Sequence, residues 1–488
     1  MLWAVKVSAT VLYVDLNCTN PTPPFTNWVT AATNIQDAVD AAGLSDLVLV
    51  TNGVYQMGGA KVLYEYFTNR VAVTKPITLQ SVNGPMVTTI VGSRGNPSLG
   101  IPYVRCVFLT NGATLIGFTL TNGTVPGGSY VGGGVSALGR PPITPSAVIG
   151  CVLVSNTAGF EGGGACGVFL DGCFLTGNSA GTGGGAAACG LNNCTISSNS
   201  VSGTGGAPSD VGSGGGAYRC NMTNCLVTGN SASQSGGGVC GGLLNNCTLS
   251  SNTAYAGGGV SPPVSGTTYL TNCIVFYNSA TSGPNYLPGA VFSHCCTTPP
   301  PQGAGNITNE PSFLDLAKGD FHLQTNSPCI NDGLNSAVLS PTDLDSNPRI
   351  VSGTVDIGAY EYQGIGSVIS YAWLQRYGLP SDGSADYADP DHDGMNNWQE
   401  WICGTDPTNA LSFLRMLSPS KSLSGIRVPW QSVNGITYFF QRSTNLGAVP
   451  AFVSLQSNLV GQAGTTTYTD TTAIGPGPFY YRVGVQFP

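Results

Sequence analysis

Charge is scarce in this chain. Only 16 Lys or Arg and 24 Asp or Glu occur among 488 residues, about 8%, where a typical globular protein carries about a quarter. Nucleic acid is excluded as a partner, because phosphate binding needs clustered basic residues and the net charge is −8. Disorder is excluded as well, since 41% of residues are hydrophobic. No apolar run reaches the ~20 residues of a membrane-spanning helix. No CxxC pair occurs and the three histidines, His294, His322 and His392, are scattered, which leaves no zinc-site pattern. The opening MLWAVKVSATVLYVD lacks a basic n-region and a clean cleavage site, so it reads as a first strand rather than a signal peptide.

Turn formers are abundant, with 69 Gly and 32 Pro, and they punctuate a repeat. Six Cys-to-Asn phrases recur: CVLVSN (Cys151 to Asn156), CFLTGN (Cys173 to Asn178), CTISSN (Cys194 to Asn199), CLVTGN (Cys225 to Asn230), CTLSSN (Cys247 to Asn252) and CIVFYN (Cys273 to Asn278). Successive Asn residues lie 22, 21, 31, 22 and 26 positions apart, and triple glycines begin at Gly162, Gly183, Gly214, Gly236 and Gly257. Within a unit the apolar residues alternate with period two, which predicts several short strands per unit. A unit of about 22 residues cannot bury its own apolar face and must stack on copies of itself. The expected fold is therefore all-β, a right-handed parallel β-helix whose equivalent strands pair one coil apart at ~4.8 Å.

That stacking assigns the repeated residues. Sixteen cysteines would suggest a disulfide framework in a small secreted protein, yet this chain is long and six of them occupy one repeat position. Ladder neighbours ~4.8 Å apart exceed the ~3.8 Å Cβ separation of a bridge. They are expected to be small buried apolar residues, with Cys295 and Cys296 outside the ladder. The six Asn residues are expected to bond turn backbone and one another, the alternative being contact with sugar hydroxyls. No GK[ST] follows any triple glycine, so these are not phosphate loops.

The GGGA and GGGV stretches alternating with CFLTGNSA and CLVTGNSA resemble the repeats of the chlamydial polymorphic outer-membrane proteins, over about residues 111 to 285. The resemblance implies a surface β-helix with a role in adhesion. The chain lacks the long amphipathic strands of those proteins' translocator barrel. Upstream, YVDLNCTNP, TNIQDAVDAA and DLVLVTNGVYQ resemble the opening of bacterial parallel β-helix proteins. There Thr33 and Gln36 fit a capping box, and Ile35, Ala38, Val39 and Ala42 make one apolar face, predicting a short helix over the open end of the stack. Downstream, SPCINDG (Ser327 to Gly333), Asp343, Asp345, Pro348, Arg349 and VDIGAYEY (Val355 to Tyr362) resemble the closing coils of the choice-of-anchor surface proteins. Arg349, Asp356 and Glu361 are expected to form a structural ion pair sealing the last coil, the alternative being a carbohydrate site.

DPDHDGMNNWQE carries the sharpest chemical motif. Asp389, Asp391 and Asp393 stand at loop positions 1, 3 and 5, Gly394 at 6, Met395 at 7 with its carbonyl, Asn397 at 9 and Glu400 at 12. This is the oxygen-ligand spacing of an EF-hand-type calcium loop, and the surrounding segment resembles thrombospondin type 3 and dockerin-like calcium segments. Calcium is the expected cofactor, stiffening the joint after the β-helix. From Phe413 onward, alternation and frequent turns predict a small β-sandwich similar to fibronectin type III. The expected organisation is an N-terminal cap and first coils (1–110), repeats and closing coils (111–362), a helix and calcium loop (365–412) and the sandwich (413–488).

These features favour a monomeric, secreted or cell-surface module that binds a glycan or a neighbouring surface, without catalytic residues. The rival is a polysaccharide lyase or glycoside hydrolase acting on an acidic polysaccharide along the β-helix. That chemistry needs paired carboxylates or an acidic cluster with a basic partner. Between 151 and 290 the only charged residues are Glu161, Asp171, Asp210 and Arg219. Asp171 reads as a turn residue, and Glu161 and Arg219 are expected at different edges. Glu65, Arg70, Arg94, Arg105 and Arg140 in the irregular coils at 55–145 stay open as a catalytic set. Ligand contacts are expected on the loops Gly203 to Ser213, Ala137 to Pro145 and Pro262 to Thr267.

Overall fold

The computed structural model describes residues 9–62, 67–127, 130–137, 145–203, 210–364, 366–474 and 476–485. Two compact units are present. One comprises residues up to 323 with 337–350 and 356–361, the other 324–336, 351–355 and 362–488.

The first unit is a parallel β-helix. One coil illustrates the rest: strands Phe169–Asp171, Phe174–Thr176 and Ser179–Ala180, then the triple glycine, then Ala186–Ala187. Each pairs in parallel with its equivalent one coil on, as Phe174–Thr176 does with Thr195–Ser197 and Ser179–Ala180 with Ser200–Val201. Among the described residues the Phe174 sheet runs from Gly53–Tyr55 to Cys296–Thr297 and the Ser179 sheet from Thr124–Val125 to Ser279–Ser282. The period-two alternation is realised directly: Leu170 and Leu175 are fully buried while Phe169 and Phe174 face out.

Two corners per coil explain the repeated phrase. Before each ladder Cys stands a residue in the left-handed region: Gly150, Gly172, Asn193, Asn224, Asn246, Asn272 and His294, with φ between 48° and 58°. Glycine meets no Cβ penalty there and Asn tolerates the region best among the others. Before each ladder Asn a second such residue recurs, at Ser155, Gly177, Ser198, Gly229, Ser251 and Tyr277. In the triple glycines the constraint is space: a Cβ on Gly163 would lie 2.3 Å from the Ser179 carbonyl oxygen and 2.5 Å from that of Gly184.

The six Asn residues form one continuous buried amide ladder. Each Nδ2 donates to the Oδ1 of the next, from Asn156 to Asn178 at 3.0 Å through to Asn252 and Asn278 at 3.0 Å. Each backbone N–H donates to that same Oδ1, and each Nδ2 also donates to a carbonyl of the preceding coil, such as Leu153 for Asn178. Asn285 accepts from Asn278 and so extends the column.

All sixteen cysteines are free, and fifteen are buried. Cys151, Cys173, Cys194, Cys225, Cys247 and Cys273 line the interior, and corner amides donate weakly to the next sulfur, as from Cys173 to Cys194 at 3.5 Å. Burial pushes the thiols of Cys151 and Cys240 up to about 12. Cys295 belongs to this column, contrary to expectation: the Cys273 amide donates to its sulfur at 3.4 Å. His294 occupies the left-handed corner where an Asn or Gly was the recognisable sign. Cys296 opens the strand that ends the Phe174 sheet.

The first helix, α1 (Ile35–Ala41), buries Ile35, Ala38 and Val39. Its N-cap is Asn34, whose side chain accepts from the Asp37 amide, and not Thr33. Gln36 is instead turned to the sheet edge, accepting from Ala72 N at 2.8 Å and donating to Ala72 O at 3.2 Å. Its amide stands in for the missing strand, which satisfies an otherwise open edge.

Residues 337–361 depart from the predicted closing coil. Asn245 Nδ2 donates to Ala337 O at 2.7 Å, Asn224 Nδ2 to Thr342 O at 2.7 Å, and Gly358 N to Asn272 O at 2.9 Å. Residues 337–350 and 356–361 thus lie along the flank of the helix as a strap. Arg349, Asp356 and Glu361 are buried together, with Arg349 donating to the carbonyls of Asp356 and Gly358. The knot pins the strap to the side of the coils and does not seal their end, because those coils offer corner Asn donors and a hydroxyl, Thr248 Oγ1, which accepts from Ala359 N.

The second unit holds α2 (Tyr371–Arg376), α3 (Asn397–Cys403) and a β-sandwich. One antiparallel sheet comprises Ser420–Ser422, Gly425–Ser432 and Gly464–Asp470, the other Val453–Val460, Thr437–Ser443 and Tyr480–Val485. Val428 and Trp430 from one meet Tyr438 and Phe440 from the other in a common core.

Two outcomes test this description. Under native conditions a thiol reagent should titrate about one group, the partly exposed Cys18, and all sixteen in denaturant; blocked thiols in denaturant would reveal disulfides. Asn230→Ala orphans the Asn199 amide and side-chain donors, so it should cost roughly 3–5 kcal/mol. The exposed Asn221→Ala should stay within about 0.5 kcal/mol, both read from urea unfolding midpoints.

Candidate functional site

The β-helix carries an open cleft of about 650 Å³ on its flank. Its floor is set by strand register. Phe169, Gly190, Asn221, Leu243 and Tyr269 are consecutive partners in one outward row, and Asp171, Asn192, Thr223, Asn245 and Thr271 in the row two residues on. The first row is an apolar ledge, with Phe169, Leu243 and Tyr269 exposed by 43%, 53% and 49%. The second is a line of amides and hydroxyls, begun by Asp171, which accepts from Asn192 Nδ2 at 2.9 Å. Leu339, Ser340 and Pro341 of the strap form the opposite wall. None of the fifteen lining residues carries a charge.

Asp171 therefore ends a strand and is not a turn residue; the turn belongs to Gly172. Only the second row left a trace in the sequence, an amide or hydroxyl two places before Cys194, Cys225, Cys247 and Cys273. The strap wall gave no sequence signal, being more than sixty residues away in the chain.

The remaining charged residues are also redistributed. Arg219 and Asp210 form an ion pair at 3.4 Å, and Asp210 accepts from Tyr218 Oη at 2.8 Å and from Val264 N at 2.8 Å. Glu161 is expected at a different edge from Arg219; burial raises its carboxyl, and the charges of Arg219 and Asp210 act on it in opposite senses. The Asp210 carbonyl also accepts from Thr182 Oγ1 at 3.4 Å. Asp210 fastens its own segment to the 262–267 loop, with Arg219 donating to Ser265. Arg70 donates to the carbonyl of Val91, and the buried Arg105 to the carbonyls of Gly132 and Val131 and to Asn69 Oδ1. Arg94 lies in an exposed hairpin strand. Glu65, Arg140 and residues 138–144 and 204–209 of the predicted ligand loops lie outside the described residues.

The acidic loop of the second unit draws its residues together. One carboxylate oxygen from each of Asp389, Asp391 and Asp393 lies within 4.8 Å of the others. Gly394 takes φ +94° at the sharp turn. The helix α3 begins at Asn397 behind a capping box of Asn396 and Gln399, which fixes Asn397 and Glu400 in its first turn. Met395 is held by its N–H, donated to Asp393 Oδ1 at 2.8 Å. Five oxygens, Asp389 Oδ1, Asp391 Oδ2, Asp393 Oδ2, Asn397 Oδ1 and Glu400 Oε2, are shielded from solvent and accept no hydrogen bond. Buried acceptors without donors are costly, and a convergent set of them is what a metal cation satisfies. Burial, then the charges of Asp391 and Asp393, pushes Glu400 up to about 8.

No protein-family model matches the chain, and no curated protein matches it. Among solved structures it is similar to a rhamnogalacturonan lyase, at 14% identity over 64% of this chain and 92% of that one, with a TM-score of 0.33. The A-module of the Azotobacter vinelandii mannuronan C-5 epimerase AlgE4 matches at 13% identity over 58% and 81%, TM-score 0.30. The Dettilon tailspike protein matches at 11% over 61% and 62%, TM-score 0.29. At these identities the likeness concerns the path of the chain alone.

The Glu400 shift fixes a pH signature. Its folded value, about 8, stands above the ordinary 4.5, so between those limits the unfolded state releases its proton first. Metal-free protein should lose stability as pH rises through that window. A bound cation takes the proton's place and should flatten the profile, as should Glu400→Gln. A chelated protein whose melting temperature is insensitive to pH from 5 to 8 would contradict this.

Proposed function

We propose that this chain is a glycan-binding β-helix protein of the secreted or cell-surface class, with a calcium ion in the 389–400 loop. The cleft carries the reading. An apolar ledge beside a repeated row of amides and hydroxyls offers sugar rings a face to lie on and their hydroxyls partners that both donate and accept. Pockets with mostly apolar walls and a few placed polar groups are the usual form of a ligand site.

The lyase or hydrolase alternative is less well supported. General acid–base chemistry on a glycosidic bond needs two carboxyl groups, or a base of suitable pKa, within reach of the scissile bond, and the cleft lining consists of apolar, amide and hydroxyl groups and glycine. Calcium is favoured over other cations by an all-oxygen donor set on a loop with the spacing of its known sites. A single unpaired loop of this kind suits the calcium concentrations found outside cells, which supports the proposed location.

Incubation of the calcium-loaded protein with a glycan panel tests the reading through binding, new reducing ends and new unsaturation. Binding without product is expected, weakened at least tenfold by Tyr269→Ala. Turnover would shift the assignment to the enzyme alternative, and absence of binding across the panel would overturn the glycan reading.

A further inference from the structure

We infer that the cleft selects a neutral, linear glycan laid parallel to the β-helix axis, about one sugar ring to each coil. The inference rests on the glycan reading of the cleft and adds the chemical class and pose of its ligand.

The pose follows from register. The two outward rows run along the stack, because each residue in them is the direct partner of the next. Their rungs are ~4.8 Å apart along the axis, and the rows lie ~7 Å apart across it, two residues along a strand. Five rungs from Phe169 to Tyr269 therefore span roughly 19 Å, a track much longer than it is wide. A saccharide unit in an extended chain is about as long as one coil is high. Successive rings thus meet successive rungs in the same way. Gly190 keeps the track passable at its upper end: a Cβ there would lie 3.0 Å from the Phe169 ring, so the missing side chain lets that ring lean along the row. The strap wall holds the width, since Asn224 and Asn245 clamp Thr342 and Ala337 at 2.7 Å on either side of Leu339 to Pro341.

The class follows from charge. Uronate and sulfate groups are recognised by Arg or Lys through charge-assisted bonds, and the lining offers neither. The polar row begins with a carboxyl side chain, Asp171, hydrogen-bonded to the cleft residue Asn192, and the chain as a whole carries −8. A polyanion entering this track would meet repulsion without a compensating cation. Neutral hydroxyls lose nothing of that kind and match a row of uncharged amide and hydroxyl side chains, in which Asn245 is held by the strap and Asn192, Thr223 and Thr271 remain to meet them.

Calorimetry with chain-length series of neutral β-1,4-linked oligosaccharides (xylo-, cello- and manno-) and with polygalacturonate and alginate, at low and high salt, tests the inference. Neutral oligosaccharides should gain affinity with each added sugar up to about five and then level off, with little dependence on salt. Leu243→Asn and Tyr269→Ala should each weaken the pentamer at least tenfold without moving the melting temperature, because both side chains face outward. Affinity that is already maximal for a disaccharide would overturn the axial pose. Binding confined to the acidic polymers would overturn the neutral class while leaving the glycan reading intact. Failure of both classes to bind would overturn both.

Discussion

At each corner of a β-helix the backbone leaves one sheet before entering the next, and its polar groups there have no strand to pair with. The buried Asn column answers that need. Each amide oxygen takes two donors from the previous rung, and each amide nitrogen gives to the next amide oxygen and to a carbonyl of the coil before. A rung therefore cannot shift by one residue without stranding donors on both sides. Register in the flanking sheets is locked by this column as much as by the strands, which are only two or three residues long at several positions. The surface features depend on it, because outward rows align only if coils superimpose.

The interior is filled accordingly. The Cys corner and the Asn corner stand at opposite ends of the same short strand, so the coil has one small apolar and one small polar turn. Sulfur is small enough to sit behind a left-handed residue and weakly polar enough to accept the corner amide of the preceding coil. The long strap then covers coils that the repeat itself leaves open, making Thr248 and Ile274, outward by register, almost wholly buried. Its buried arginine is balanced by Glu361, Asp356 and Asp343, nearest first in effect. Removing one member of such a set leaves an uncompensated charge.

The second unit follows a different logic. Its acidic loop brings carboxylates together at a cost that a proton on Glu400 or a bound cation would relieve, and α3 supplies two of the oxygens from a capped first turn. The order is imposed by helix capping and a left-handed glycine. Asn397 contributes twice, its Nδ2 tying back to Ala385 O at 2.8 Å while its Oδ1 stays aimed inward.

Local pattern alone determined the coil, the ladders and the oxygen-ligand loop, because each follows from short-range spacing: period two, a fixed Cys-to-Asn interval, and positions 1, 3, 5, 9 and 12. The capping of α1 was read one residue early, since Thr33 and Asn34 are both capable caps and only the edge strand at Ala72 claims Gln36. Cys295 escaped notice because no Cys-to-Asn phrase begins at it, the next ladder oxygen coming instead from Asn285. Tertiary structure decided the cleft, the strap and the fastening of Asp210 to Arg219 and the 262–267 loop. Outward positions carry no burial constraint, so even a recurring Asn or Thr among them does not say which will wall a cleft. Across an insertion such as the 31-residue interval between Asn199 and Asn230, only hydrogen-bonded register says which residue lies upon which.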